Sequence, residues 1–142
     1  MYPDRKHICV IGSSGSKAFN RRKEVGQACY KFCDEIILTT ADLYNESFES
    51  ICSDVLEYIP DKSKVKLIKD RTKAIETAIL HSDNKDEIIS VLGKGGETRQ
   101  VINGKKVFYV SDSVNVENFI EKYNEKDVYK RQIYIFYFLV CF

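Results

Sequence analysis

Strand-like and helix-like patterns alternate along most of this chain, and this alternation constrains the fold more than any other feature. Apolar runs predict four strands, at Ile8–Ile11, Glu35–Leu38, Val65–Ile68 and Ile88–Leu92. Apolar residues at helical spacing predict three helices between them, at Arg22–Cys33, Ser47–Ile59 and Arg71–His81. Strands separated by helices of this length favour right-handed crossovers. We therefore expect an α/β fold with a mostly parallel sheet flanked by helices.

The pattern changes after the fourth strand. Asn103-Gly104 is the preferred pair for a type I′ turn, which predicts a C-terminal β-hairpin over Arg99–Ile102 and Lys105–Tyr109. A last amphipathic helix is expected from about Ser113 to Tyr123. Asp70 is a good N-cap for the third helix, and either Asn45 or Ser47 suits the second.

Two glycine-rich turns directly follow predicted strands: Gly12-Ser13-Ser14-Gly15-Ser16-Lys17 and Gly93-Lys94-Gly95-Gly96-Glu97-Thr98. Open α/β sheets bind ligands at the carboxyl ends of their strands, and glycine lets the backbone approach a bound group. Backbone N–H groups at a helix N-terminus with cations nearby form an anion site. Arg21, Arg22 and Lys94 are therefore candidate ligands for a phosphate or another anion. The first turn has neither P-loop nor dinucleotide spacing, and an ordinary solvated loop is the alternative for both turns.

Composition and charge indicate a globular protein rather than a nucleic-acid binder. The 142 residues are 44% hydrophobic and 30% charged, with a formal net charge of +1. The five cysteines lack metal-ligand spacing, and buried free thiols are favoured over a redox pair at Cys29 and Cys33. We expect these two thiols to share one helix face with Val25, Ala28 and Phe32. Such cysteine usage fits a reducing cytoplasm, and the start of the chain lacks the apolar stretch of a signal peptide.

The final residues, 127–142, do not continue the pattern. Asp127–Gln132 resembles the translation of a transposase mosaic-end adapter, GAT GTG TAT AAG AGA CAG. Ile133–Phe142 is apolar but only ten residues long, whereas a membrane span needs about 20. We interpret residues 127–142 as an adapter-derived tail rather than a membrane anchor, and assign residues 1–126 to the domain.

Four segments, taken in order, resemble landmarks of one enzyme family. The first landmark is the pattern G-x-G-G-D-R-D-x-x-K-R-P…G, which is partly matched by Gly12-Ser13-Ser14-Gly15, Lys17, Asn20-Arg21-Arg22 and Gly26. The pattern A-G-K-G-H-E-x-Y-Q is partly matched by Val91–Gln100. Two shorter landmarks are matched by Asp70-Arg71 and Ser111-Asp112. From about Lys6 to Tyr123 the chain thus resembles the C-terminal domain of MurE-type ligases, the UDP-N-acetylmuramoyl-tripeptide synthetases.

This resemblance implies a Rossmann-like domain of a cytoplasmic, ATP-dependent amide ligase. In the family, ATP phosphorylates a carboxylate of the UDP-N-acetylmuramoyl peptide, the amine of an amino acid attacks the acyl phosphate, and phosphate leaves. ATP and Mg²⁺ are held mainly by a central domain, while the C-terminal domain receives the amino acid and closes over the site. The partners implied are therefore the muramoyl peptide, the amino acid, and the N-terminal and central domains.

The resemblance also assigns roles to single residues. Gly93 and Glu97 stand where a glycine carbonyl and a glutamate hold the far end of the incoming amino acid, and Glu97 would accept from a side-chain ammonium. The alternative is a surface carboxylate paired with Lys94 or Arg99. Lys17 occupies the position of an arginine that meets a substrate carboxylate, keeping the charge without the bidentate fork.

Departures from the family pattern bear on the substrate. Diaminopimelate-adding members carry D-N-P-R where this chain has Ala41-Asp42-Leu43-Tyr44, so the arginine that binds a distal carboxylate is missing. Asp42 and Tyr44 then stand at the substrate position. Diaminopimelate is therefore not the expected substrate; lysine or another amine becomes possible, and nothing in the sequence selects between them. Gly96 stands where the family has histidine, and Ser16 where it has aspartate, which suggests a divergent paralogue.

Two further expectations concern what the 142 residues lack. The family's domain begins earlier, with a D-Y-A-H-T-P strand, so we expect a sheet truncated at its N-terminal strand with one unpaired edge. No G-x-x-x-x-G-K-[ST] motif occurs, so this polypeptide alone should neither hydrolyse ATP nor ligate. The alternative function is a stand-alone Rossmann-like module that binds a phosphorylated ligand or nucleotide.

Overall fold

A five-stranded parallel sheet forms the centre of the molecule. The computed structural model describes residues 4–16, 19–82 and 87–126, and the backbone of residues 134–138. The strands are β1 Lys6–Ile11, β2 Glu35–Leu38, β3 Val65–Leu67, β4 Glu87–Leu92 and β7 Tyr134–Phe138. They lie in the order β3-β2-β1-β4-β7, and every neighbouring pair is parallel.

Helices cover both faces of this sheet. The helices are α1 Phe19–Phe32, α2 Phe48–Leu56, α3 Arg71–Leu80 and α4 Asp112–Lys126, and a short 3₁₀ helix, Lys62–Lys64, precedes β3. Alternate residues of each strand point to opposite faces. Val10 therefore packs in the core under α3 and α4, while Cys9 packs in the core under α1 and α2. The predicted parallel α/β fold is confirmed.

The hairpin and the helix caps follow the local sequence. Strands β5 Arg99–Ile102 and β6 Lys105–Phe108 pair antiparallel, and Asn103 and Gly104 between them both have positive φ, as a type I′ turn requires. Asp70 accepts a hydrogen bond from the Lys73 N–H and caps α3. Of the two candidates for α2, Ser47 is the cap, accepting from the Ser50 N–H.

The buried face of α1 differs from the predicted one. Ala28 and Phe32 are exposed, whereas the residues that face the core are Arg22, Gly26, Cys29 and Cys33. Gly26 permits the approach of α2, because a Cβ there would lie 2.6 Å from the Val55 carbonyl oxygen. The helical period was predicted correctly. The buried face of α1 is rotated from the predicted one, because a charged residue, Arg22, is part of the interior.

The outer edge of β4 carries a strand from the chain's own tail. Strand β7 pairs with β4 from Ile88↔Tyr134 to Leu92↔Phe138. Residues 134–138 thus join the sheet, although they were predicted to lie outside the domain. The adapter origin of residues 127–142 stays a prediction. Among the described residues, no helix combines the length and apolar character needed to cross a membrane.

Candidate functional site

The loops that follow β1, β2 and β4 meet at the carboxyl edge of the sheet, and the β5–β6 hairpin packs against them. The Gly15 N–H donates to the Asp42 carbonyl at 2.8 Å, which joins the first two loops. The Leu43 N–H donates to the Val101 carbonyl at 2.8 Å, and the Val101 N–H donates to Asp42 Oδ1 at 2.9 Å. The hairpin therefore fixes the position of the Asp42 side chain.

One buried lysine joins two of the predicted site residues. Lys94 Nζ donates to Asp42 Oδ1 at 3.0 Å and to Glu97 Oε2 at 2.5 Å. The Lys94 side chain is 3% exposed, while those of Asp42 and Glu97 are 22% and 61% exposed. These three groups, which we call the carboxylate–lysine cluster, carry one positive and two negative charges. The cluster is therefore net negative and open to solvent at Glu97, so it can accept a further cation.

The backbone of the β4 loop is shaped around this cluster. Gly93 has φ +113° and Gly95 has φ +50°, values that favour glycine. The Glu97 N–H donates to the Lys94 carbonyl at 2.9 Å, which closes the turn and brings both side chains to the same side. Gly96 lies at the exposed tip, where a Cβ would meet nothing within 4 Å. A larger residue, such as the family's histidine, would therefore fit there.

Below this loop lies a buried ion pair between residues of two of the family landmarks. Arg71 Nε and Nη2 donate to the Asp112 carboxylate at 2.8 and 2.7 Å, and Nη2 also donates to the Leu92 carbonyl at 2.8 Å. The same carboxylate accepts from the Tyr109 hydroxyl at 2.7 Å and from the Gly95 N–H at 3.2 Å. The pair therefore anchors both ends of the Gly93–Gly95 turn.

Electrostatics keep this network in one protonation state. Burial lowers the pKa of Arg71, but the hydrogen bonds and charge of Asp112 outweigh it and raise the pKa. Burial, together with the Asp112 charge, raises the pKa of the Tyr109 hydroxyl, so it remains a donor. Asp70-Arg71 and Ser111-Asp112 were both recognised as landmarks in the sequence. The sequence did not predict that Arg71 and Asp112, which are 41 positions apart, form an ion pair.

The glycines of the first turn serve packing between loops. A Cβ on Gly12 would lie 2.6 Å from the Thr39 carbonyl oxygen, and one on Gly15 would lie 2.0 Å from the Leu43 carbonyl oxygen. Neither glycine has a positive φ. These glycines therefore allow the loop after β2 to pack closely against the first turn.

The basic residues after this turn occupy different environments. Arg22 is 1% exposed and donates to Asp54 Oδ2 at 2.5 Å and to Glu46 Oε2 at 2.8 Å. Two carboxylates therefore already neutralise it, and it holds α1 against α2. Arg21 is exposed, and Lys17 lies outside the described residues. Anion binding by Arg21, Arg22 and Lys94 stays a prediction, as does the contact of Lys17 with a substrate carboxylate.

Tyr44 occupies the position at which the family's arginine would stand. Its φ is +52°, its N–H donates to the Val101 carbonyl at 3.1 Å, and its own carbonyl accepts from Gly104 at 3.1 Å. The hairpin thus holds the Tyr44 backbone in place, next to Asp42. Its role in substrate binding stays a prediction.

This fold and loop arrangement defines the class of protein. A family model described as Mur ligase, glutamate ligase domain, matches residues 1–95, and the chain belongs to this family. The resemblance inferred from the four landmarks is thereby confirmed.

The relatives are muramoyl-peptide ligases. A UDP-N-acetylmuramoyl-L-alanyl-D-glutamate–L-lysine ligase of Enterococcus faecalis is 35% identical over 123 residues, which cover 87% of this chain and 24% of that protein. A UDP-N-acetylmuramoyl-L-alanyl-D-glutamate–2,6-diaminopimelate ligase of Aquifex aeolicus is 40% identical over 101 residues, covering 71% of this chain and 21% of that protein.

A solved structure of a 2,6-diaminopimelate ligase of the same kind superposes with a TM-score of 0.72 at 28% identity, over 82% of this chain and 24% of that one. The chain therefore spans about a quarter of the length of the proteins that it resembles.

Proposed function

We propose that this chain is the amino-acid-receiving part of an ATP-dependent ligase that joins an amino acid to a UDP-N-acetylmuramoyl peptide. The family membership and the names of the relatives support this proposal. In the proposed reaction a peptide carboxylate becomes an acyl phosphate, the amine of the amino acid attacks its carbonyl carbon, and inorganic phosphate leaves. The described residues of this chain would bind and orient the amino acid.

The carboxylate–lysine cluster is the observation that carries the assignment. It lies at the carboxyl edge of the parallel sheet, where ligands bind in open α/β folds. Its net negative charge and the 61% exposure of the Glu97 side chain suit an incoming side-chain ammonium. A ligand ammonium would share the carboxylate oxygens that now face Lys94 Nζ.

We infer further that the amino acid is L-lysine, or a similar diamino acid with a single carboxylate, rather than diaminopimelate. A distal carboxylate needs a cation, and Tyr44 stands at the aligned arginine position. Lys94, the buried cation of the cluster, is already shared between Asp42 and Glu97. A second carboxylate would thus meet a net negative surface.

A hybrid enzyme tests this substrate assignment. Residues 6–123 of this chain would replace the aligned segment of the Enterococcus faecalis L-lysine ligase. Phosphate release from ATP would then be measured with L-lysine and with meso-diaminopimelate. We expect L-lysine to be the better substrate, and a preference for diaminopimelate would contradict the inference.

Glu97→Gln in the same hybrid tests the role of the carboxylate. Losing a charge-assisted hydrogen bond of about 1.5–3 kcal/mol should lower kcat/KM for lysine roughly 10–100-fold. Glu121→Gln, on the exposed side of α4, is the matched control and should leave kcat/KM unchanged. Equal rates for the two variants would refute a substrate contact at Glu97.

We also propose that the 142-residue chain alone releases no phosphate from ATP. The absence of a P-loop motif from its sequence supports this, as does the packing of the Gly12 and Gly15 turn against the loop after β2. ATP and Mg²⁺ therefore belong to a part of the enzyme outside these residues. Phosphate release by the chain above the level of a Lys94→Ala variant would contradict the proposal. Submillimolar ATP binding in calorimetry would instead favour the nucleotide-binding module.

A further inference from the structure

Three cysteine sulfurs come together in the core between the sheet and α1, away from the carboxylate–lysine cluster. Cys9 lies on β1, Cys29 on α1, and Cys33 directly after the last residue of α1. Their Sγ atoms all lie within 4.8 Å of one another. The three residues are free thiols and only 2%, 4% and 7% exposed. We call this group the thiol cluster.

The fold explains why the thiols meet. Residues four positions apart lie on the same face of a helix, which brings Cys29 and Cys33 together. Strand β1 turns Cys9 towards that same face, because alternate strand residues point to the α1 side of the sheet. The short segment between α1 and β2 is held against β1, since the Asp34 N–H donates to the His7 carbonyl at 2.8 Å. The cluster is therefore built from rigid elements.

A histidine and a lysine border the cluster. The ring of His7 contacts the Phe32 carbonyl through Nδ1 at 3.0 Å and Ser90 Oγ through Nε2 at 2.8 Å. A hydrogen bond with the Cys33 thiol raises the pKa of His7. Lys64 Nζ donates to the Cys33 carbonyl at 3.5 Å. Lys64, and His7 when it is protonated, would offset negative charge on the sulfurs.

Hydrogen bonds within the cluster favour ionisation at one sulfur. Thiol hydrogen bonds from Cys29 and Cys9 lower the pKa of Cys33, with His7 adding to the effect. Hydrogen bonding to its two neighbours and burial raise the pKa of Cys9. These hydrogen bonds reflect how closely the three sulfurs face one another, and that closeness is what a single metal ion bound by all three requires.

We propose that Cys9, Cys29 and Cys33 bind one soft, monovalent metal ion of the Cu(I) type through their three sulfurs. A metal about 2.3 Å from each sulfur in a planar site would hold the sulfurs about 4 Å apart. The observed limit of 4.8 Å needs a contraction of under an ångström. On binding, three sulfur–metal bonds form and the remaining thiol protons pass to the buffer.

The donor set selects the class of ion. Thiolates prefer soft ions such as Cu(I), whereas structural zinc is almost always four-coordinate. Among the described residues, the potential ligand group consists of these three sulfurs, and His7 is not a member of it. A three-sulfur site thus favours Cu(I) over Zn²⁺. This inference does not depend on the proposed ligase function.

An anaerobic titration of the full chain with Cu(I) tests the proposal. All proteins would carry Cys141→Ser, so that the tail thiol does not contribute. We expect one Cu(I) per chain, followed by the thiolate-to-metal charge-transfer absorbance, and three sulfur neighbours in the copper X-ray absorption spectrum. Binding of no copper, or of copper with fewer than three sulfurs, would overturn the proposal.

Two variants separate the cluster from general thiol binding. Cys29→Ser should weaken Cu(I) binding by more than about 100-fold, since even the loss of an outer partner costs roughly 10–100-fold. Cys52→Ser is the matched control, because Cys52 is also buried and free but is not one of the three clustered sulfurs. Equal losses of Cu(I) affinity in the two variants would contradict a metal site at the thiol cluster. Circular dichroism checks folding, and thermal stabilisation of the Cys141→Ser chain by Cu(I) provides a readout that needs no cluster variant.

Discussion

Asp112→Ala removes the carboxylate that neutralises a guanidinium in the interior of the protein. The side chains of Arg71 and Asp112 are each 1% exposed. Truncating one partner of a buried ion pair costs about 3–5 kcal/mol, because the other charge stays buried without compensation. The Tyr109 hydroxyl and the Gly95 N–H also lose their acceptor, which adds roughly 1–3 kcal/mol for an unsatisfied group. Since neighbouring effects overlap, we expect a total loss of about 4–6 kcal/mol.

This loss is a large part of the stability of a small domain, which is about 5–15 kcal/mol. Since the free energy of unfolding falls by about 2 kcal/mol per M of urea, the urea concentration at the unfolding midpoint should fall by about 2–3 M. Urea titration followed by circular dichroism measures the change. A matched surface control is Glu76→Ala, which breaks the exposed pair with Lys73 and should cost less than about 1 kcal/mol.

A double variant checks the physical cause. Arg71→Met with Asp112→Leu removes both charges together, and replacing a buried pair by apolar residues is often neutral. We expect the double variant to recover a substantial part of the stability lost in Asp112→Ala. A loss below about 1 kcal/mol for Asp112→Ala would refute the reasoning, as would a double variant that is less stable than the single one.

Three further predictions concern glycine positions and pH. Gly12→Ala should destabilise the chain by about 1–3 kcal/mol, because its Cβ would lie 2.6 Å from the Thr39 carbonyl oxygen. Gly96→Ala should change the free energy of unfolding by less than about 0.5 kcal/mol, since nothing lies within 4 Å of its Cβ, and similar urea midpoints for both variants would contradict the packing argument. Burial raises the pKa of Glu35, but two lysine partners outweigh it, so the folded pKa lies below the ordinary 4.5. Glu35→Gln should therefore lower stability by about 0.5–1 kcal/mol above pH 4.5, and the difference from wild type should vanish as the pH falls through the folded pKa. A difference that persists at lower pH in urea titrations would refute this.

Local chemistry explains why much of the fold was predictable. Asn103-Gly104 specifies its turn because both positions need positive φ, and Ser47 and Asp70 cap helices through hydrogen bonds that span three residues. The exposed face of α1 was predicted wrongly at Ala28 and Phe32. Periodicity treats arginine as a surface residue, and it contains no sign that Glu46 and Asp54 would neutralise Arg22.

The candidate site was predictable in its place and family but not in its contacts. Gly93 and Glu97 were expected at the carboxyl end of β4, and the loop does lie there. Lys94 was a candidate anion ligand, and a pair between Lys94 and Glu97 was the alternative. The structure shows the Lys94–Glu97 pair and adds Asp42, 52 positions earlier in the chain than Lys94. The substrate roles stay predictions, because the described contacts are those of the chain alone.

The sequence by itself determined the alternation of strands and helices, the parallel sheet, the hairpin and the placing of two glycine-rich loops at one edge of that sheet. These follow from periodicity and turn chemistry, which act between residues a few positions apart. Only the tertiary structure decided that Arg71 meets Asp112, that Lys94 bridges Asp42 and Glu97, and that Cys9 joins Cys29 and Cys33. Such pairings depend on the register of strands and the rotation of helices. Those are fixed by the packing of the whole core and not by any short stretch of residues.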